Sequence, residues 1–179
     1  MDPAQPPRAT AWVSLGSNLG DRKAHLFAAL RALGREPEIE VAAVSRIYET
    51  DPVGPAPQRP YLNAAARIET SLAPVALLAV LLRLEADEGR QRSGRRNEAR
   101  TLDLDLLLYG DRCVEEPGLT VPHPRLHRRA FVLEPLREVA GNRVHPRLGE
   151  TIDVLARRVR DPEAVRPLDA EVSSSLRDE

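Results

Sequence analysis

The chain has 179 residues, a hydrophobic share of 42% and a formal net charge of -1 from 26 basic and 27 acidic residues. That length suits one domain with a full core, and the balance of charge argues against a general coat for nucleic acid or an anionic membrane surface. The single cysteine, Cys113, excludes an intramolecular disulfide and a cysteine-built metal cage, and no apolar run is long enough to span a bilayer.

Residues 1–10 are rich in proline, carry no hydrophobic signal core and read as a disordered lead. Ala11 to Leu15 reads as a buried strand running into the turn Gly16-Ser17-Asn18-Leu19-Gly20. A helix follows from Asp21, with Leu26, Phe27, Leu30 and Leu33 at helical spacing and Gly34 as its stop. Ile39 to Thr50 reads as one strand of irregular alternation. Residues 51–60 hold four prolines, which forbid helix and central strand alike. Tyr61 to Thr70 is the next strand, and Pro74 opens a second helix with a leucine stripe through Leu84 that ends at Gly89. An arginine-rich connection, 90–100, leads into a strand from Thr101 to Tyr109. The order βαββαβ predicts an α+β, ferredoxin-like antiparallel sheet with helices packed on one face. A C-terminal extension follows: a proline-punctuated segment Val121 to Pro124, a helix from Ala130 to Val139, a short amphipathic segment Ile152 to Val159, and a loose charged tail over 161–179. The domain is therefore expected over 11–160, and the simplest reading is a soluble cytoplasmic protein.

Arg100-Thr101-Leu102-Asp103-Leu104-Asp105-Leu106 carries the sharpest chemical signal. Strand side chains alternate, so Leu102, Leu104 and Leu106 share one face while Asp103 and Asp105 share the other, roughly 7 Å apart. Like charges so close disfavour the strand unless a cation relieves them. Magnesium meets that need, because it is usually held by one or two carboxylates plus substrate phosphates. Taken alone, such a pair is more often the wet face of an amphipathic strand. The arginines immediately upstream (Arg90, Arg92, Arg95, Arg96 and Arg100) shift the reading, since guanidinium forks fit phosphate oxygens. Tyr61 and Asn63 lie on one strand face and suit a flat heterocycle, one by stacking and one by hydrogen bonds, with Phe131 as an opposite wall. His123, stiffened between Pro122 and Pro124, is a candidate donor to phosphate; His127 and His145 read as surface residues. There is no Gly-rich Walker loop and no protein-kinase signature. A non-catalytic sheet module for RNA or a metabolite, and a palm-type nucleotidyl transferase, remain as alternatives at this point. The first is disfavoured by the scarcity of aromatics on the strand faces.

Together these residues resemble the family of 6-hydroxymethyl-7,8-dihydropterin pyrophosphokinases. The resemblance runs through Leu15 to Gly20, Tyr48-Glu49-Thr50 with Gly54-Pro55, Tyr61-Leu62-Asn63-Ala64, Glu85 with Gly89-Arg90, Arg100 to Asp105, Val121-Pro122-His123-Pro124 and Arg129-Ala130-Phe131, over about residues 11–157. It implies a monomer that transfers diphosphate from ATP to 6-hydroxymethyl-7,8-dihydropterin, releasing AMP, with ATP bound first. It implies two Mg2+ ions on Asp103 and Asp105, and Arg90 and Arg100 as catalytic arginines on the phosphates. Glu85, Arg92, His123 and Arg129 would serve ATP, and Thr50, Val53, Tyr61, Asn63 and Phe131 the pterin. Two departures stand out. Asn97-Glu98-Ala99 replaces the Trp-Gly-Pro of some members, so a tryptophan cap is absent, and Asp51 stands where proline is common.

Overall fold

The computed structural model describes residues 7–52, 58–90 and 99–168. Strand β1 (Ala9–Ser17) leads into helix α1 (Arg22–Arg35), whose first turn is capped by the Asp21 carboxylate accepting the Ala24 N–H at 3.0 Å. Strands β2 (Ile39–Val44) and β3 (Tyr48–Thr50) follow, then β4 (Tyr61–Thr70), α2 (Pro74–Asp87) and β5 (Asp103–Tyr109). A hairpin of β6 (Val114–Glu116) and β7 (Leu119–Val121), a 3-10 turn at Leu126–Arg128, helices α3 (Ala130–Ala140) and α4 (Ile152–Arg158), and a last strand β8 (Val165–Pro167) complete the order. The Val121–Pro122 peptide is cis.

All pairings of the main sheet are antiparallel, in the order β5-β1-β4-β3-β8, with β2 also on β4. This is the expected ferredoxin-like core, with α1 and α2 covering one face. That face buries Val13 and Leu15 of β1, Ala64, Ala66 and Ile68 of β4, and Leu104 and Leu106 of β5 against Leu26, Leu30, Leu77 and Leu81 of the helices. Among the described residues no helix is long and apolar enough to cross a membrane.

Several expectations need correction. Helices occupy both faces of the sheet, because α3 and α4 close the other side over Trp12, Ala65, Leu107 and Leu108, with Leu133, Leu136 and Ile152 at their centre. Leu107 and Leu108 both turn to that second core because a register shift opposite Trp12/Val13 interrupts the alternation of β5. The first strand begins at Ala9, inside the segment expected to be disordered, and runs through Gly16 and Ser17, so the turn shrinks to the residues just before α1. The strand expected over Ile39 to Thr50 is two strands. At the break Ser45 Oγ accepts the Ala65 N–H at 2.9 Å and its own N–H donates to the Ala65 carbonyl at 2.9 Å, replacing the ladder locally. The supposed loose tail contains β8, which pairs Val165 with Thr50 at the sheet edge. His145 is 3% exposed rather than a surface residue, its ring set edge-on to half-buried His127 with centroids 6.4 Å apart.

Candidate active site

The C-terminal ends of β1 and α2, the N-terminal end of β5, strands β3 and β4 and the start of α3 enclose a cleft of about 650 Å³. Strand parity decides what faces it. Leu102, just before β5, and Leu104 and Leu106 on it are 0–3% exposed, while Asp103 and Asp105 turn together into the cleft. Their neighbours on β1 are Gly16, opposite Asp103, and Ser14, opposite Asp105. A Cβ on Gly16 would stand 3.0 Å from Asn63 Oδ1 and 3.8 Å from the Asp103 Cβ. Glycine there keeps the floor open between the acidic wall and Asn63.

The two aspartates sit in different fields. Asp103 is gripped from both sides: Arg90 donates to Oδ1 at 2.6 Å and Arg100 pairs with Oδ2 at 2.9 Å. Arg90 also pairs with Glu85, a carboxylate only 2% exposed in the last turn of α2, whose Oε1 accepts the Leu104 N–H at 2.8 Å. Glu85 thus pins Arg90 and the start of β5 to one point. Among the described residues no guanidinium bonds Asp105. Its carboxyl is pushed up to about 6, first by burial and then by the Asp103 charge, with Arg129 pulling the other way.

The remaining wall is basic. Burial works against the Arg100 charge, yet the Asp103 carboxylate overcomes it and holds its proton more tightly than usual. Arg129 is lowered by burial and by Arg125, and its guanidinium lies over the Phe131 ring at 5.5 Å. His123 faces the same cleft, its N–H donating to the Leu107 carbonyl at 2.9 Å. Burial, with Arg129 and Arg125 adding to it, holds its imidazole near 4, so it is neutral at pH 7. The residues expected to hold a flat heterocycle line the same cleft. Asn63 is 8% exposed and donates from Nδ2 to Thr50 Oγ1 at 2.6 Å; the Tyr61 phenol, raised by burial, and Phe131 border them.

The cleft therefore gathers Thr50, Tyr61 and Asn63 with Glu85, Arg90, Arg100, Asp103, Asp105, His123, Arg129 and Phe131. Val53 and Arg92 lie outside the described residues. Sequence reasoning missed three residues. Arg125, two positions after His123, joins the basic wall, and the VPHPR run is the signal that points to it. Leu82, one turn before Glu85 on α2, adds an apolar patch at 39% exposure. Asn18, in the turn and outside the cleft lining, bonds the Arg100 backbone, and only its turn chemistry signals it. Asp51 also borders the cleft, tied to the C-terminal segment by Arg166 at 2.9 Å.

The donor set fits a hard divalent cation. No group of three or more His, Cys, Asp or Glu that could hold a metal occurs among the described residues. Two carboxylates on one wall leave the rest of an octahedral shell to water and ligand oxygens, which is magnesium's habit with phosphates.

The family model described as 7,8-dihydro-6-hydroxymethylpterin-pyrophosphokinase matches residues 12–141. The 2-amino-4-hydroxy-6-hydroxymethyldihydropteridine pyrophosphokinase of Haemophilus influenzae is 44% identical over 137 residues, 76% of this chain and 85% of that protein. Its namesake in Bacillus subtilis is 46% identical over 129 residues, 72% and 77% of the two chains. Among solved structures, an HPPK-DHPS in complex with substrates superposes with a TM-score of 0.66 at 12% identity, over 85% of this chain and 43% of that one. A Plasmodium falciparum HPPK-DHPS gives 0.66 at 15% identity, over 89% and 47%. The chain thus spans less than half the length of those two structures, and at such identities the likeness speaks for the fold alone.

Proposed function

The chain belongs to the 7,8-dihydro-6-hydroxymethylpterin-pyrophosphokinase family, and on that premise we propose that its cleft transfers the diphosphoryl group of ATP to 6-hydroxymethyl-7,8-dihydropterin, a step of folate biosynthesis. The observation that carries this reading is the meeting, in one cleft, of a same-face aspartate pair, four guanidiniums and a flat slot lined by Tyr61, Thr50, Asn63 and Phe131.

In this reading Asp103 and Asp105 hold two Mg2+ ions with ATP. When bound, magnesium neutralises charge on the triphosphate and eases loss of the hydroxymethyl proton. Arg90 and Arg100 meet the phosphates, exchanging the Asp103 carboxylate for phosphate oxygens as the nucleotide arrives. Arg129 and His123 line the nucleotide side, and the resemblance assigns Arg92 to ATP as well; His123, neutral, donates one hydrogen bond. Glu85 keeps Arg90 aimed. On the other side Tyr61 and Phe131 sandwich the pterin ring and Asn63 and Thr50 bond its edge, and the resemblance assigns Val53 to the pterin as well.

The reaction is an in-line displacement. The pterin hydroxymethyl oxygen attacks the β-phosphorus of ATP, the bridging bond from that phosphorus to the α-phosphate oxygen breaks, and AMP leaves with the bonding pair. The hydroxymethyl proton passes to solvent. Positioning and charge neutralisation supply the rate in such a transfer, and those are what these side chains offer. We read the enzyme as a cytoplasmic monomer, as the family resemblance implies, and the balanced net charge agrees with a partner list without nucleic acid.

The test is direct. Protein, hydroxymethyl dihydropterin, ATP and magnesium should yield AMP in step with diphosphorylated pterin. Release of pyrophosphate in place of AMP would assign a nucleotidyl transferase. Asp103→Ala and Asp105→Ala should each abolish turnover, and near-normal turnover in either would refute the metal assignment.

A further inference from the structure

Asn18 is 1% exposed and uses its carboxamide and backbone on two partners at once. Its Oδ1 accepts the Arg100 N–H at 2.8 Å, and its own N–H donates to the Arg100 carbonyl at 3.1 Å, closing a two-bond ring around that residue. Its Nδ2 donates to Gln58 Oε1 at 3.1 Å, and the Tyr61 hydroxyl donates to the same oxygen at 3.3 Å. The orientation of the amide is chemically determined. A backbone N–H can only donate, so Asn18 must present its oxygen to Arg100, and its NH2 then faces Gln58. Gln58 must in turn answer with its oxygen, which also suits the Tyr61 hydroxyl.

The chain of bonds Arg100–Asn18–Gln58–Tyr61 therefore joins the backbone of Arg100, the residue whose guanidinium holds Asp103, to the phenol that lines the cleft. Nothing in it is a surface accident: Asn18 is buried, Gln58 and Arg100 are half-buried, and each bond has one possible polarity. We propose that Asn18 is a positioning residue that couples the two halves of the cleft, so that a ligand stacked on Tyr61 and a phosphate ligand met by Arg100 strengthen each other's binding. This rests on the pyrophosphokinase reading, in which the two halves take pterin and ATP. A rigid bonded chain passes a preference in position from one site to the other, and by linkage the effect is reciprocal.

The experiment measures pterin affinity by calorimetry with and without magnesium and α,β-methylene ATP, together with kcat and the KM for each substrate. Wild type should show tighter pterin binding when the analogue is present. Gln58→Leu removes the acceptor and keeps the Asn18–Arg100 ring; Gln58→Glu keeps the acceptor. The ratio of pterin affinities should fall about fivefold or more in Gln58→Leu and in Asn18→Ala, and stay near wild type in Gln58→Glu. In both damaging variants the pterin KM at saturating ATP should rise more than kcat falls. Thermal melting monitors folding, and if Asn18→Ala does not fold, the Gln58 pair decides alone. An unchanged ratio in Gln58→Leu, an equal loss in Gln58→Glu, or a wild type that turns over without any coupling would overturn the proposal. A wild type that releases no AMP would instead overturn the pyrophosphokinase reading on which it stands.

Discussion

Asp105→Asn should make the magnesium-free protein more stable while it removes activity. The Asp105 carboxyl lies at about 6 against an ordinary value of 3.8, because it is buried beside Asp103 and Glu85. Each tenfold change in proton affinity is worth about 1.4 kcal/mol, so this placement costs roughly 3 kcal/mol at neutral pH before screening. Solvent reaching a half-buried group brings the net to about 1–2 kcal/mol. A folded-state value raised above the unfolded one means that the group's contribution is fully present below about pH 3.8 and is lost as pH rises through about 6. The asparagine variant escapes that loss. In EDTA at pH 7.5 it should melt about 3–6 °C above wild type, and the gap should close as pH falls toward 4. Differential scanning calorimetry across pH reads this, and the same samples with magnesium, ATP and hydroxymethyl dihydropterin should show no turnover. A variant that melts lower than wild type at pH 7.5 and still turns over would refute the reasoning, since Asp105 would then be an ordinary structural carboxylate.

Arg100→Ala should lower kcat by about a hundredfold or more while pterin affinity measured without nucleotide changes little, because its guanidinium lies on the phosphate side of the cleft; steady-state kinetics and calorimetry separate the two. The His123 imidazole, held near 4, should show no NMR titration between pH 5.5 and 8, and its contribution to stability, complete above pH 6.5, should be lost as pH falls from 6.5 toward 4. Glu85→Leu should cost about 3 kcal/mol or more in chemical unfolding, since the Arg90 guanidinium and the Leu104 N–H both lose a buried acceptor. Leu107→Ala, in the second core at 1% exposure, should cost about 2–5 kcal/mol without changing either KM.

How much of this was legible in the sequence depends on whether a local pattern or a distant partner decides each element. The parity of Leu102 to Leu106 is a local pattern, and it alone placed Asp103 and Asp105 on one side. The helices α1 and α2 announce themselves by leucine spacing and by their Asp21 and Pro74 starts. The second core was not legible, because Leu107 and Leu108 break the alternation at a register shift that belongs to β1 as much as to β5. Strand β8 is three residues long in a charged segment, and only pairing with β3 makes it a strand. Ser45 reads as one more strand residue until its hydroxyl is seen holding Ala65. The same holds in the cleft. Arg100, Asp103 and Asp105 sit in one run, whereas Glu85 becomes intelligible only when α2 delivers it to Leu104, and Asn18 only when the chain returns to it after 82 residues.

The most direct test of the account is calorimetric binding of α,β-methylene ATP to wild type and to Asp103→Ala and Asp105→Ala, each with magnesium and with EDTA. Wild type should bind the analogue only with magnesium, and each alanine variant should lose about a hundredfold or more in affinity. Equal binding in EDTA, or wild-type affinity in either variant, would contradict the claim that this carboxylate pair holds the nucleotide's metal.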